Sequence, residues 1–342
     1  MEDIARLTQL SKMTVSRALT NSGYVSQEAR DKVQAAASQL NYEFNFIGRQ
    51  LTRNKTGLLG VITSFEGFVG TYYFGRIIEG LQQGLAGTDY HLTLYDSSSE
   101  SFNDGQKCAK LCHQRRVDGL AVIAPHTDDD FIKTFSDLQV PIIVIGGSPI
   151  HKTISYIDVD NFGGAYAATE HLIHLGHKKI GFIAGLANLS DARQRQEAFE
   201  KAMADHKLPV KPSWIIEGKY QTRLAFHGCL DLLSQDDRPT AIFASNDLMA
   251  LGVMDAARTL GLKIPEDLSL VGFDDIRGAD MTTPPLTTVH QPSYQFGKTS
   301  AQYLLKTITG ADGNGVLREK LPAELVIRAS TMTLGMHQKA KR

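Results

Sequence analysis

The residues best equipped for chemistry in this chain fall into small groups, and each group's spacing can be tested against what its reaction needs. Cys108 and Cys112 lie four apart on an expected helix with His113 beside them, the thiolate and imidazole types that bind zinc. Thiols so spaced on a helix usually pack as small hydrophobes, and that is the reading adopted. His171, His174 and His177 recur every third residue, but Gly176 is a helix-ending glycine, so the three rings diverge. Gly297-Lys298-Thr299 looks like the end of a phosphate loop, yet the glycine required five places earlier is Pro292. The segment reads better as the start of a helix continuing through Ala301, Leu304 and Leu305. No Gly-x-Ser-x-Gly elbow occurs, and Asp128-Asp129-Asp130 suits a solvated helix start, where carboxylates favour the macrodipole. Catalysis is unsupported, and neither a metal nor a cofactor is expected.

Composition narrows the alternatives. At 342 residues the chain exceeds one ordinary core and implies two or three domains. Its 42% hydrophobic and 21% charged residues are those of a folded globular protein. No apolar run reaches the roughly eighteen residues of a membrane span. Met1–Leu10 carries Glu2 and Asp3 where a signal peptide is basic, and three cysteines make no disulfide framework. A cytoplasmic protein without membrane contact is expected. The net charge of −1 hides an asymmetry: residues 1–55 hold eight Lys/Arg against five Asp/Glu, and the remainder is acidic by four. A mildly basic head on a mildly acidic body suits a nucleic-acid reader joined to a sensor.

The elements agree with that division. Ile4, Ala5 and Leu7 begin a helical periodicity that Val15, Ala18 and Leu19 resume after a break, with Ser11 placed to cap the second run. Ser26 opens a third run carrying Ala29, Val33, Ala36, Ala37 and Leu40 on one side. Three short helices with a tight first turn make a helix-turn-helix; read alone, the same pattern also fits a helical hairpin with a solvated polar face. From Gly57 the rhythm changes to short apolar strands alternating with helix-length segments: Leu58–Ile62, His91–Tyr95, Gly119–Ile123, Ile142–Ile145 and Ile154–Val159, then again Lys179–Ile183, Trp214–Glu217, Ala241–Ala244 and Leu268–Phe273. The restart implies two doubly wound parallel-sheet α/β subdomains.

Several stretches carry a family resemblance. Glu2-Asp3-Ile4-Ala5-Arg6-Leu7, Ser11-Lys12-Met13-Thr14-Val15-Ser16-Arg17-Ala18-Leu19, Tyr24-Val25-Ser26 and Leu40-Asn41-Tyr42 resemble the headpiece of LacI/GalR transcription regulators. In the body, Val117-Asp118-Gly119, Gly176-His177-Lys178-Lys179-Ile180, Asn246-Asp247, Val271-Gly272-Phe273-Asp274-Asp275 and Leu286-Thr287-Thr288-Val289 resemble the periplasmic-binding-protein-like fold of the same family. The resemblance implies an all-α helix-turn-helix headpiece over residues 1–44 and a hinge helix with linker over 45–56. It places an effector-binding and dimerisation body at 57–331 and a tail at 332–342. The body divides into roughly 57–158 plus 290–318 and 159–289 plus 319–331.

The resemblance also assigns roles. The second helix lies in the major groove, with Lys12 and Met13 against bases and Arg17 one turn on, where its fork can address guanine and Met13 a thymine methyl. Ser11, Thr14, Ser16 and Ser26 donate to phosphates, which positions the helix without choosing sequence. Asn45, Gly48 and Leu51 belong to the hinge, with Leu51 as a minor-groove wedge; a plain linker is the competing reading. The family's turn usually holds Gly, whereas this chain has Thr8-Gln9-Leu10. In the body, Arg195 and Asp274 match the family's effector-contacting pair, which binds hydroxyls by charge-assisted hydrogen bonds. Tyr220 matches a position suited to ring stacking, and Ser64, Phe65, Tyr73 and Phe74 border the cleft. Asp160 and Asn246 are candidates with structural competitors, a crossover support and a helix cap, and the aromatics at 72–74 compete with a core role. The expected function is a sequence-specific repressor, working as a homodimer on double-stranded operator DNA and controlled by a sugar-like effector. Control by a protein co-regulator and a transport solute-binding protein are the alternatives.

Overall fold

The computed structural model describes residues 1–20, 23–42, 55–64, 69–97, 110–124, 140–147, 153–311 and 315–334, in two compact units, Met1–Gly57 and Leu58–Arg342.

The first unit holds α1 (Glu2–Thr8), α2 (Lys12–Thr20) and α3 (Gln27–Gln39). Ser11 Oγ accepts from the Thr14 N–H at 3.1 Å and Ser26 Oγ from the Ala29 N–H at 3.3 Å, each satisfying a donor that a helix start leaves orphaned. The core is small: Ile4 from α1, Val15 from α2, and Val33 and Ala36 from α3 are buried, with Leu10, Ala18, Leu19 and Tyr42 around them. Gln9 makes the α1–α2 turn in the left-handed region, φ 56°, a conformation that costs a non-glycine residue about 1 kcal/mol.

The second unit contains two parallel sheets. The first runs in the order β11-β5-β4-β3-β1-β2, from β1 (Leu58–Thr63), β2 (His91–Asp96), β3 (Gly119–Ile123), β4 (Ile142–Ile145), β5 (Ser155–Val159) and β11 (Arg318–Leu321). The second runs β7-β6-β8-β9, from β6 (Ile180–Ala184), β7 (Ile215–Glu217), β8 (Ala241–Ala244) and β9 (Ser269–Val271). Every residue of β3, β4, β6 and β8 is buried, as unbroken apolar runs require in sheets covered on both faces. β10 (Thr288–His290) and β12 (Glu324–Val326) form an antiparallel ribbon. The division expected after residue 318 falls inside β11. All four residues of that strand stay in the first sheet, in register with Tyr156–Val159 of β5.

Helices α4 (Tyr72–Gly84), α5 (Asn161–His174), α6 (Ser190–Asp205), α7 (Thr222–Leu233), α8 (Asp247–Thr259) and α9 (Ser293–Thr309) belong to the same unit. Helices α4 and α9 cross at close range. A Cβ at Gly80 would lie 2.0 Å from the Tyr294 carbonyl oxygen, and one at Gly297 would lie 2.0 Å from that of Ile77. Gly297-Lys298-Thr299 is thus helix interior, not a phosphate loop.

Candidate effector cleft and DNA-reading helix

The carboxyl ends of the strands in both sheets open on a cleft lined by Tyr72, Tyr73, Ala124, Gly146, Asp158, Asn161, Asp191, Arg195, Tyr220, Asn246, Leu248, Asp274, Ile276 and Gln291. This is where parallel α/β sheets place ligands, because the loops there are free to vary above a rigid scaffold. Arg195, only 3% exposed, is the organising charge. Its Nε donates to Asn161 Oδ1 at 2.9 Å and one terminal nitrogen to the Ser245 carbonyl at 2.7 Å, and its guanidinium lies 3.7 Å over the Phe273 ring. Two carboxylates face it, Asp191 at 3.8 Å and Asp274 at 3.7 Å, beyond hydrogen-bonding reach. The charge is balanced electrostatically, and neither carboxylate closes a direct hydrogen bond to the guanidinium.

Asp274 follows β9 with φ 120°, and Asp275 and Tyr220 also adopt positive φ, 54° and 59°. Non-glycine residues hold such conformations only where surrounding structure over-determines them. Around Asp274 and Asp275, Asp247 does so: its carboxylate accepts from Thr288 Oγ1 at 2.6 Å and from the Ile276 N–H at 2.9 Å, while Arg328 and His290 donate to Asp275. Burial raises the Asp274 carboxyl to about 7 against the opposing pull of Arg195 and a 2.6 Å hydrogen bond from Gln291. Burial, then the neighbouring Asp274 charge, also raises Asp247. Tyr220 Oη donates to Asp191 at 2.7 Å. Its ring covers Gly185, where a Cβ would stand 2.4 Å away. Across the cleft Tyr73 lies against Gly146, whose missing Cβ leaves room for the Tyr73 hydroxyl. Burial drives both phenols well above their ordinary value, so they act as neutral donors.

Tyr73, Arg195, Tyr220, Asn246 and Asp274 therefore meet in one cleft. Asn246 also caps α8, accepting from the Met249 N–H at 2.9 Å. Phe74, expected at the cleft, is instead a core residue packed with Ile77 and Leu81; one residue beyond Tyr73 on α4 it points about 100° away. Asp160 caps α5 through the Gly163 N–H at 3.0 Å and, like Ser64 just past the end of β1, is not among the lining residues. Phe65 lies outside the described residues. Sequence reasoning missed Asp158, Asn161, Asp191 and Gln291. Only Asp191 left a signal, an acid four residues before Arg195 on one helix; Asp158 comes from the end of β5, Asn161 from the start of α5 and Gln291 from just past β10, all far from Arg195 in sequence.

In the head, Lys12 and Arg17 are exposed and Met13 is 64% exposed, so α2 presents these side chains to solvent. Lys12 is ion-paired with Glu2, an exposed pairing of small worth. Thr14 is half-buried and hydrogen-bonds Ser11 at 2.9 Å. Ser11 and Ser26 use their hydroxyls as helix caps, and Ser16 is half-buried. Asn45, Gly48 and Leu51 lie outside the described residues.

The three histidines do diverge. His171 meets Thr331 at 3.0 Å, and His177 is buried between Thr240 and Ser269, 3.0 Å from each. Cys112 is half-buried, and its expected companion Cys108 lies outside the described residues. No helix among the described residues is long and apolar enough to cross a membrane.

The chain thus joins a helix-turn-helix unit to a second unit of two doubly wound sheets around a cleft with polar lining residues. Residues 1–45 match the family of bacterial regulatory proteins, lacI family, and residues 169–331 match the periplasmic binding protein-like domain. The HTH-type transcriptional repressor PurR of Haemophilus influenzae (strain PittEE) is 36% identical over 98% of this chain and 99% of its own. That of Photobacterium profundum is 32% identical over the same shares. Among solved structures, the lac repressor dimer bound to operator and the anti-inducer ONPF superposes with TM-score 0.83 at 30% identity, covering 96% of this chain and 98% of that one. The transcriptional regulator CelR–cellobiose complex superposes with TM-score 0.73 at 27% identity over the same shares. The chain belongs to the LacI family of DNA-binding transcriptional repressors.

Proposed function

We propose that residues 1–44 read an operator, that 45–56 form a DNA-dependent hinge, and that 57–331 form the sensor, with 332–342 as a tail. The effector is a small polyhydroxylated ring, a sugar or sugar derivative, bound in the Arg195–Asp274 cleft. The observation that carries this is a buried arginine facing two carboxylates at 3.7–3.8 Å, with two tyrosines beside it. Such a set satisfies hydroxyls, which both donate and accept, while the rings cover an apolar face. Two chains pair through their bodies and present two α2 helices to the halves of a palindromic operator, about one helical turn apart. The ligand acts only as far as it binds the two arrangements of the subdomains differently.

A thermal-shift screen of sugars, sugar phosphates and, because Asn246, Asp274 and Gln291 also suit ring N–H and carbonyl groups, purine bases tests the assignment. A sugar that raises the melting temperature of the parent but not of Arg195→Ala, and that alters operator affinity, supports it. A shift with a purine base alone rejects the sugar, and silence throughout favours a protein co-regulator. Leu51→Ala tests the hinge: specific operator affinity falls while effector affinity holds, and unchanged operator binding removes the wedge.

A further inference from the structure

Outside the cleft, the described residues bring one set of transition-metal ligand types together. Glu170 and His174 stand one turn apart on α5, and His206 follows the end of α6 as its C-terminal cap. One ligand atom from each lies within 4.8 Å of the other two. His206 Nε2 is 3.4 Å from Glu170 Oε1, close to the roughly 3.3 Å that separates two ligands of a tetrahedral ion at 2.0–2.1 Å. The two imidazoles meet edge to face, ring centroids 5.7 Å apart. Glu170 and His206 are half-buried and His174 is exposed, so an ion can enter from solvent and keep a water as its fourth ligand.

We propose that Glu170, His174 and His206 form a binding site for a divalent transition ion of the zinc type. Two imidazole nitrogens and one carboxylate are ligands of intermediate softness that favour zinc over magnesium or calcium, which take all-oxygen shells. Neighbouring groups do not complete the set: His171 is held by Thr331, and Asp205 is engaged by Lys201 and Tyr166. The ion ties the C-terminal ends of α5 and α6, which run side by side. Toward their opposite ends the same helices supply Asn161, Asp191 and Arg195 to the cleft, roughly 14–23 Å away at 1.5 Å per residue. The site needs no assumption about the effector.

The test is titration of the full chain, freed of metal by chelator, with Zn2+ followed by calorimetry. One equivalent binds per chain, His174→Ala and His206→Ala each weaken binding at least tenfold, and His227→Ala, a histidine elsewhere on the body, leaves it unchanged. Saturating zinc raises the melting temperature by a few degrees in the parent and not in the two variants, while Mg2+ does neither. Circular dichroism of both variants without metal confirms their fold. Co2+ substitution gives a spectrum without a thiolate charge-transfer band. No zinc uptake, uptake unaltered in both variants, or a thiolate band, which would place the ion at cysteine, each overturns the proposal.

Discussion

Arg195 illustrates how a buried charge is kept because it is shared. Its polar surroundings are Asn161, the Ser245 carbonyl and two carboxylates, so removing the cation leaves acids in a site built around it. Arg195→Ala is expected to cost about 3–5 kcal/mol of body stability in denaturant unfolding, and Arg195→Lys also loses the fork that spans Asn161 and Ser245. Asp274 has the opposite character. Its carboxyl titrates at about 7 in the fold against an ordinary value of 3.8, so between those pH values the folded chain holds a proton that the unfolded chain has released. Stability contributed by that group is full below the lower value and is lost as pH rises through the upper one. Asp274→Asn removes this titration. Melting curves from about pH 5 to about pH 7.5 are expected to move in favour of the variant, relative to the parent, as pH rises; a constant gap would contradict the buried, proton-holding carboxyl.

At the level of elements, two devices are exposed to single substitutions. The α1–α2 turn is closed by Gln9 in the left-handed region, where glycine meets no steric penalty. Gln9→Gly is expected to stabilise the head by about 1 kcal/mol, seen as roughly fivefold slower exchange of the hydrogen-bonded amides of Val15 and Val33. The α4–α9 crossing works the other way. Gly80→Ala drives a methyl into the Tyr294 carbonyl and is expected to lower body stability by about 1–3 kcal/mol in thermal unfolding. Gly75→Ala in the same helix meets nothing within 4 Å and is expected to gain about 0.5–1 kcal/mol from helix propensity alone.

For the whole molecule, a basic head on an acidic body makes DNA affinity a question of salt as much as of sequence. On the proposed dimer, log affinity falls linearly with log salt, and losing one phosphate contact per head lowers the slope by about two for the pair. Arg17→Ala is expected to relax base preference at one position of each half-site at a cost of about 1–3 kcal/mol per contact, with the salt slope changing little. Selection of bound sequences from random duplexes, parent against variant, checks this. A uniform loss across all sequences would make Arg17 a phosphate contact.

Much of this was legible without coordinates, for identifiable reasons. The three head helices follow from local periodicity and from Ser11 and Ser26 as caps, which act within one turn of their own position. The parallel strands follow from apolar runs such as Ile142–Ile145, because a strand covered on both faces has no polar side to display. Arg195 and Asp274 were visible through family resemblance, as was Tyr220. What only the tertiary structure decided depends on direction and on long-range closure. One residue's rotation along α4 sends Tyr73 into the cleft and Phe74 into the core. Gln291 reaches Asp274 only because the chain returns from the second sheet, and β11 holds its last residues in the first sheet by pairing with β5, a strand from far earlier in the chain. His206 stands beside Glu170 and His174 because α5 and α6 lie side by side. Neighbours in sequence share a local potential that the residues themselves reveal, whereas the meeting of distant side chains is set by how the whole chain closes its cores.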